Sequence, residues 1–167
     1  MFRFLVGVCF SILAINSCLA DVHAKLFQTS LTQVKAQTTI PILLPSEFPA
    51  PIVEGEIHDV KGIGTNTGYE FNLYYEKDSG NAGYFGSFTA EIGGKLHFKG
   101  KPVTLENGAT GYFKGRSCGG SCSPSHFAWF QDKTLYTIDL KFAVNNKQDE
   151  EKIMTSIANS AIHGGAR

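Results

Sequence analysis

The sequence predicts an α+β domain in which an antiparallel β-sheet is packed by an N-terminal and a C-terminal helix, with one disulfide-closed loop. Three observations carry this reading. Apolar residues recur at helical spacing only near the two ends, they alternate with a period of two through the middle, and the alternating stretches are joined by hairpin-length links. Nothing in the chain alternates strand with helix, so a parallel βαβ architecture is not expected.

The chain starts with a single charge at Arg3, an apolar run from Phe4 to Ile15, and Asn16-Ser17-Cys18-Leu19-Ala20 before Asp21. This layout predicts a secretory signal peptide over residues 1–20, cleaved after Ala20. The apolar run is too short for the ~20 residues that span a bilayer, and no later stretch comes near that length. An alternative takes Cys18 as the acylated N-terminus of a lipoprotein, although Asn16 fits that pattern poorly. Residues 21–167 then form a single domain of ordinary size.

Residues 21–37 predict an amphipathic helix with Val22, Leu26, Leu31 and Val34 near one face. Pro41, Pro45, Pro49 and Pro51 forbid helix in the next segment, which reads as an edge strand and a bend. Around "GYEFNLYYE", Tyr69, Phe71, Leu73 and Tyr75 alternate with Glu70, Asn72, Tyr74 and Glu76, the clearest strand of the chain. A turn-rich link at 77–83 leads to "YFGSFTAEI", with Tyr84, Phe88, Ala90 and Ile92 expected on one face. Short strands are expected at 95–98, 102–106 and 110–114, separated at Gly100 and Asn107-Gly108. "HFAWFQ" and "TLYTIDLKF" flank Asp132-Lys133 as a hairpin, with Tyr136, Ile138, Leu140 and Phe142 turned one way. Ile153, Met154, Ile157, Ala158, Ala161 and Ile162 form the apolar stripe of a C-terminal helix. Acidic residues at 149–151 lie at its positive dipole end, and Gly164-Gly165 terminates it.

Charge excludes some partners. Basic and acidic residues balance at 15 each over the whole chain, and losing Arg3 leaves one acidic excess. No basic stripe is available for phosphates, so nucleic acid is not an expected partner, and docking to an anionic membrane has no electrostatic source. Cys9 and Cys18 fall in the leader, which leaves Cys118 and Cys122 as an even pair in an oxidising compartment.

The stretch "SCGGSCSPSHFAW" is the most chemically suggestive. A papain-like nucleophile carries Cys-Gly-Ser-Cys-Trp, but here a glycine is inserted and too few residues follow Cys122 for the His and Asn of that mechanism. Copper-delivery proteins of thioredoxin type carry Cys-x-x-x-Cys-Pro, whereas Ser123 separates Cys122 from Pro124. A metal clip of Cys118, Cys122 and His126 is a thin ligand set. The preferred reading is a disulfide closing a tight loop that Gly119 and Gly120 permit and Pro124 stiffens. The gain from so short a ring is only ~2 kcal/mol, so the bridge mainly fixes shape. The loop, with Gly119, Gly120, Ser121, Ser123, Pro124, His126 and Trp129, is the candidate binding element.

Other catalytic signals are weak. Ser121 and Ser123 lack a nucleophile-elbow setting, and histidines 23, 58, 97, 126 and 163 show no metal-binding spacing. No catalytic residue and no cofactor is assigned. Among 13 Phe, 6 Tyr and 1 Trp, Tyr74, Phe85 and Phe130 fall out of phase with their strands. They are candidates either for burial under a helix, the preferred outcome, or for an exposed aromatic patch.

"VTLENGATGYFKG", "FAWFQDKTLYTIDLKF" and "EEKIMTSIANSAI" together resemble the small extracytoplasmic domain of anti-sigma-factor-like proteins. The cysteine loop is similar to that of uncharacterised bacterial secreted and envelope proteins carrying "GYF…CGxSCSP…W". The resemblance covers residues 103–162 and implies a sensory or binding domain without catalysis. The expected function is therefore a secreted or periplasmic binding protein acting on a protein or envelope component, as an inhibitor or immunity-type protein would. Thiol or copper-type metal handling at Cys118 and Cys122 is the first alternative, and a carboxylate-based envelope hydrolase the second.

Overall fold

The computed structural model describes residues 21–52, 56–144 and 146–166. The expected leader with Cys18, and the side chains of Val22 and His23, lie outside this description. Helix α1 (Asp21–Gln37) is followed by strands β1 (Asp59–Thr65), β2 (Gly68–Tyr74), β3 (Tyr84–Ile92), β4 (Lys101–Thr104), β5 (Thr110–Lys114), β6 (Ser125–Gln131) and β7 (Thr134–Leu140), and then helix α2 (Lys147–His163). All seven strands form one antiparallel sheet in the order 1-2-3-7-6-5-4.

Both helices cover the same face of this sheet, α1 against β1 and α2 against β5 and β6. Phe71, Phe88, Phe127, Trp129, Tyr136, Ile138 and Leu140 point from the strands into the core, where Phe27, Val34, Met154, Ile157 and Ala158 meet them from the helices. Phe27 stands edge-on to both Phe71 and Phe88, with ring centroids 5.8 Å away in each case. The apolar stripe expected on α2 is buried as predicted, apart from a half-buried Ile162. Asn146 caps α2 by accepting from the Asp149 N–H at 2.9 Å.

The proline-rich segment corrects the sequence reading. It is not an edge strand but an extended strap across the helix-covered face, burying Ile40, Ile42, Leu43 and Leu44. Prolines suit it because buried extended backbone without a ladder must find side-chain partners. The Tyr69 hydroxyl accepts from the Leu43 N–H at 3.0 Å, the Tyr136 hydroxyl donates to the Pro41 carbonyl at 3.1 Å, and Ser160 Oγ accepts from the Ser46 N–H at 3.0 Å.

Strand β1 was not expected, because "DVKGIGT" has no apolar alternation. Its inward positions are Gly62 and Gly64, and a Cβ there would sit 2.7 Å from Val34 Cγ2 or 2.9 Å from the Val34 carbonyl oxygen. The glycines let α1 lie directly on the strand. Helix side chains then satisfy the strand's outer edge: Gln37 Oε1 accepts from the Gly64 N–H at 2.8 Å, and Ser30 donates to the Val60 carbonyl. The opposite edge, β4, is short and carries Pro102, which limits what it offers to another strand.

The expected strand at 95–98 is also corrected. After β3 the chain must reach β4 at the far edge, four strand spacings or about 19 Å away, and residues 93–100 make that crossing without pairing. This second strap runs over the face of the sheet that the helices leave bare.

Candidate functional site

Two features stand out, the disulfide loop and the bare face of the sheet. Cys118 and Cys122 are joined with an S–S distance of 2.08 Å. Their loop extends the β5–β6 hairpin, and residues 117–122 are all exposed. Ser123 knits its base, its N–H donating to the Ser117 carbonyl at 2.8 Å and its hydroxyl accepting from the Ser117 N–H at 3.2 Å. Below this, the carboxylate of Glu150 is almost fully enclosed in the first turn of α2. It accepts from the Arg116 N–H at 2.9 Å and from the Ser125 hydroxyl. A buried carboxylate needs donors of this kind, and the helix dipole adds to them. Glu150 thus ties the base of the loop to the core.

The helix-free face carries the second feature. Strap 93–100 passes over β6 and β7, and between them lies a cavity of about 330 Å³ lined by Leu96, His97 and Phe98 above and by Thr89, Glu91, Lys114, His126, Leu135, Thr137 and Asp139 below. Strand alternation places those floor residues: His126 lies opposite Asp139 and Thr137 opposite Thr89, each with inward core neighbours on either side. His126 Nδ1 is 2.7 Å from Asp139 Oδ1, and the Phe98 ring stacks over His126 at 5.3 Å with a 30° tilt. Among the described residues no hydroxyl or thiol reaches the His126 ring. A second hollow of about 280 Å³, lined by Ile63, Thr65, Thr67, Gly68 and Glu70, shares Thr89 and Glu91 with the first.

Farther along this face, Tyr74 and Tyr84 meet edge-on at 5.9 Å, with Lys61 over Tyr74 and Lys141 over Tyr84 at 5.3 and 5.1 Å. Burial raises the Tyr84 phenol above its ordinary range, against a lowering hydrogen bond from Ser87.

The sequence-predicted residues divide between these places. Gly119, Gly120 and Ser121 form the exposed tip, with Ser123 and Pro124 half-buried at its exit. Trp129 and His126 do not belong to the loop. Trp129 lies in the core, stacked on Tyr136 at 5.3 Å, because at its strand position it faces the helices. His126 faces the opposite way, into the strap cavity. The set Cys118, Cys122 and His126 is therefore not gathered, and among the described residues no group of three His, Cys, Asp or Glu side chains is placed to hold a metal ion.

The three out-of-phase aromatics differ. Phe130 is 44 % exposed on the bare face, where burial was preferred. Tyr74 is half-buried beside Tyr84. Phe85 is not an exposed aromatic but is buried against Tyr75 at 5.2 Å. A register shift at Leu73/Tyr74 pairs Leu73 with Gly86 but Tyr74 with Tyr84, turning Phe85 inward and Tyr84 outward.

Sequence reasoning missed Glu91, Lys114, Thr137 and Asp139 as a group, since only the sheet order sets β3, β7, β6 and β5 side by side. The signal available was that all four occupy polar phases of amphipathic strands. Among the described residues no helix is long and apolar enough to cross a membrane. No family model matches the chain, and no curated protein or solved structure matches it either.

Proposed function

We propose that the chain is a non-catalytic binding domain acting outside the cytoplasm, secreted or periplasmic, and that its ligand occupies the strap-roofed cavity on the bare sheet face. The leader-like N-terminus and the paired cysteines support the compartment. The observation that carries the binding reading is the cavity itself. Its volume is at the small end of ligand sites, roughly 300–1,000 Å³, and its polar groups are pre-oriented, His126 by Asp139 and by Phe98.

Binding is favoured over hydrolysis by two features. The His126–Asp139 pair has no nucleophile hydrogen-bonded to it among the described residues. The cavity carboxylates Glu91 and Asp139 sit four residues out of register on neighbouring strands, about 13 Å apart along the strand at ~3.3 Å per residue. Glycosidase carboxyl pairs are separated by about 5–9.5 Å. Amide NMR of residues 21–167 titrated with a fragment library tests the proposal. Shifts should concentrate at Thr89, Lys114, His126 and Thr137. Fragments that bind only elsewhere, or not at all, would overturn it.

A second reading is favoured by the Glu150-anchored loop: the exposed tip 117–122 presents a fixed surface to a protein or envelope partner, as an inhibitor or immunity-type protein does. Loss of a partner on Ser121→Arg, with cavity shifts retained, would identify it. Thiol or metal handling by Cys118 and Cys122 requires free thiols, which thiol titration of the purified protein reads directly.

A further inference from the structure

We propose that the ligand is a neutral, linear oligosaccharide lying across strands β6, β7, β3, β2 and β1; this rests on the cavity being the binding site. The strap cavity and the second hollow adjoin at Thr89 and Glu91, and together they cross four strand spacings, a trough about 19 Å long. A trough of that length suits a chain of repeating units better than a compact metabolite.

The lining selects the chemistry of those units. Thr67, Thr89 and Thr137 offer hydroxyls that both donate and accept, and Glu91, Asp139 and Lys114 add strong acceptors and donors. Neither charge sign dominates: Asp139 is already hydrogen-bonded to His126, and Glu91 on β3 and Lys114 on β5 carry opposite charges. A polyanion or polycation would leave one sign desolvated without a partner, whereas uncharged hydroxyls can bond to all of these groups. Leu96, Leu135 and Phe98 give the apolar surface that the C–H face of a sugar ring requires. An extended peptide binding by strand addition would need an open strand edge. Here helix side chains already occupy the Gly64 N–H and the Val60 carbonyl on the outer edge of β1, and β4 is short and carries Pro102.

The experiment titrates residues 21–167 with cellotetraose, chitotetraose and maltotetraose, and with the corresponding disaccharides, under amide NMR. A tri-galacturonate and a tetra-alanine peptide serve as comparisons. At least one neutral tetrasaccharide should shift amides at both Thr137 and Thr67, more tightly than its disaccharide and than either comparison ligand. Asp139→Asn and Phe98→Ala should each weaken it about tenfold with unfolding temperatures checked. Thr67→Val should weaken the tetrasaccharide and leave the disaccharide unchanged. The proposal is overturned if no neutral saccharide binds, if the peptide or the galacturonate binds more tightly, or if chain length and Thr67→Val have no effect. In each of those cases fragment shifts at His126 and Thr137 in the same sample would leave the cavity reading standing, and their absence would remove both.

Discussion

Removing the Glu150 carboxylate should loosen the cysteine loop and destabilise the whole domain, although the residue lies 28 positions or more from either cysteine. In Glu150→Ala the Ser125 hydroxyl, fully buried, and the Arg116 N–H, half-buried, both lose their acceptor. Leaving a buried donor unpaired costs about 1–3 kcal/mol, with the upper end for bonds to a charged group. Water can reach Arg116 but not Ser125, so the sum is about 3–4 kcal/mol. Loss of a negative charge in the first turn of α2 falls within that figure. For a chain of this size the change corresponds to a drop of about 10 °C in unfolding temperature. Glu150→Gln keeps an acceptor in place and should cost only about 1–2 kcal/mol. Urea unfolding of the three proteins gives the energies, and amide hydrogen exchange at Arg116 gives the local effect, with protection lost in the alanine variant and largely kept in the glutamine. A cost below about 1 kcal/mol for alanine, or unchanged protection at Arg116, would refute the idea that Glu150 anchors the loop.

Other expectations follow from single contacts. Gly64→Ala puts a Cβ 2.9 Å from the Val34 backbone oxygen and should lose about 1–3 kcal/mol in urea unfolding, while Gly119→Ala, with open space around it, should stay within about 0.5 kcal/mol. Tyr69 is neutral and buried, and burial, opposed by its bond to Leu43, holds its phenol well above the ordinary 10.0. Because the folded state keeps this proton longer than the unfolded chain, its contribution is complete below pH 10 and is lost as pH rises beyond it; Tyr69→Phe should flatten that alkaline decline in stability. The double variant Cys118→Ser, Cys122→Ser should lose about 2 kcal/mol or less and leave fragment shifts in the cavity unchanged, since the bridge constrains only the exposed hairpin tip; a larger loss in thermal unfolding would mean that the bridge supports the core.

Much of the architecture was legible because period and burial are locally coupled. Tyr69, Phe71 and Leu73 alternate and face the core; Tyr136, Ile138 and Leu140 do the same, and Asp132 and Lys133 both take left-handed backbone in the turn between β6 and β7, φ 49° and 65°. Strand β1 was not legible, because its stability comes from glycines chosen for helix contact rather than from its own side chains. Phe85 is buried, the preferred outcome, but it reaches the core by a route that alternation cannot reveal: an extra residue in β3 opposite Leu73 and Tyr74 changes its phase. The candidate loop was half right: its tip is exposed, but Trp129 and His126 continue into a strand that sends them to opposite faces of the sheet.

By itself the sequence determined the α+β class, the two helices, the central hairpins and the pairing of Cys118 with Cys122, since each depends on residues close along the chain. Tertiary structure alone decided the strand order 1-2-3-7-6-5-4 and therefore the strap over the bare face. That order sets Thr89, His126, Thr137 and Asp139 side by side under Phe98, although they come from three strands. Local patterning says which face of a strand is polar. Only long-range pairing says which polar faces become neighbours, and the cavity exists because the connection from β3 to β4 must cross them.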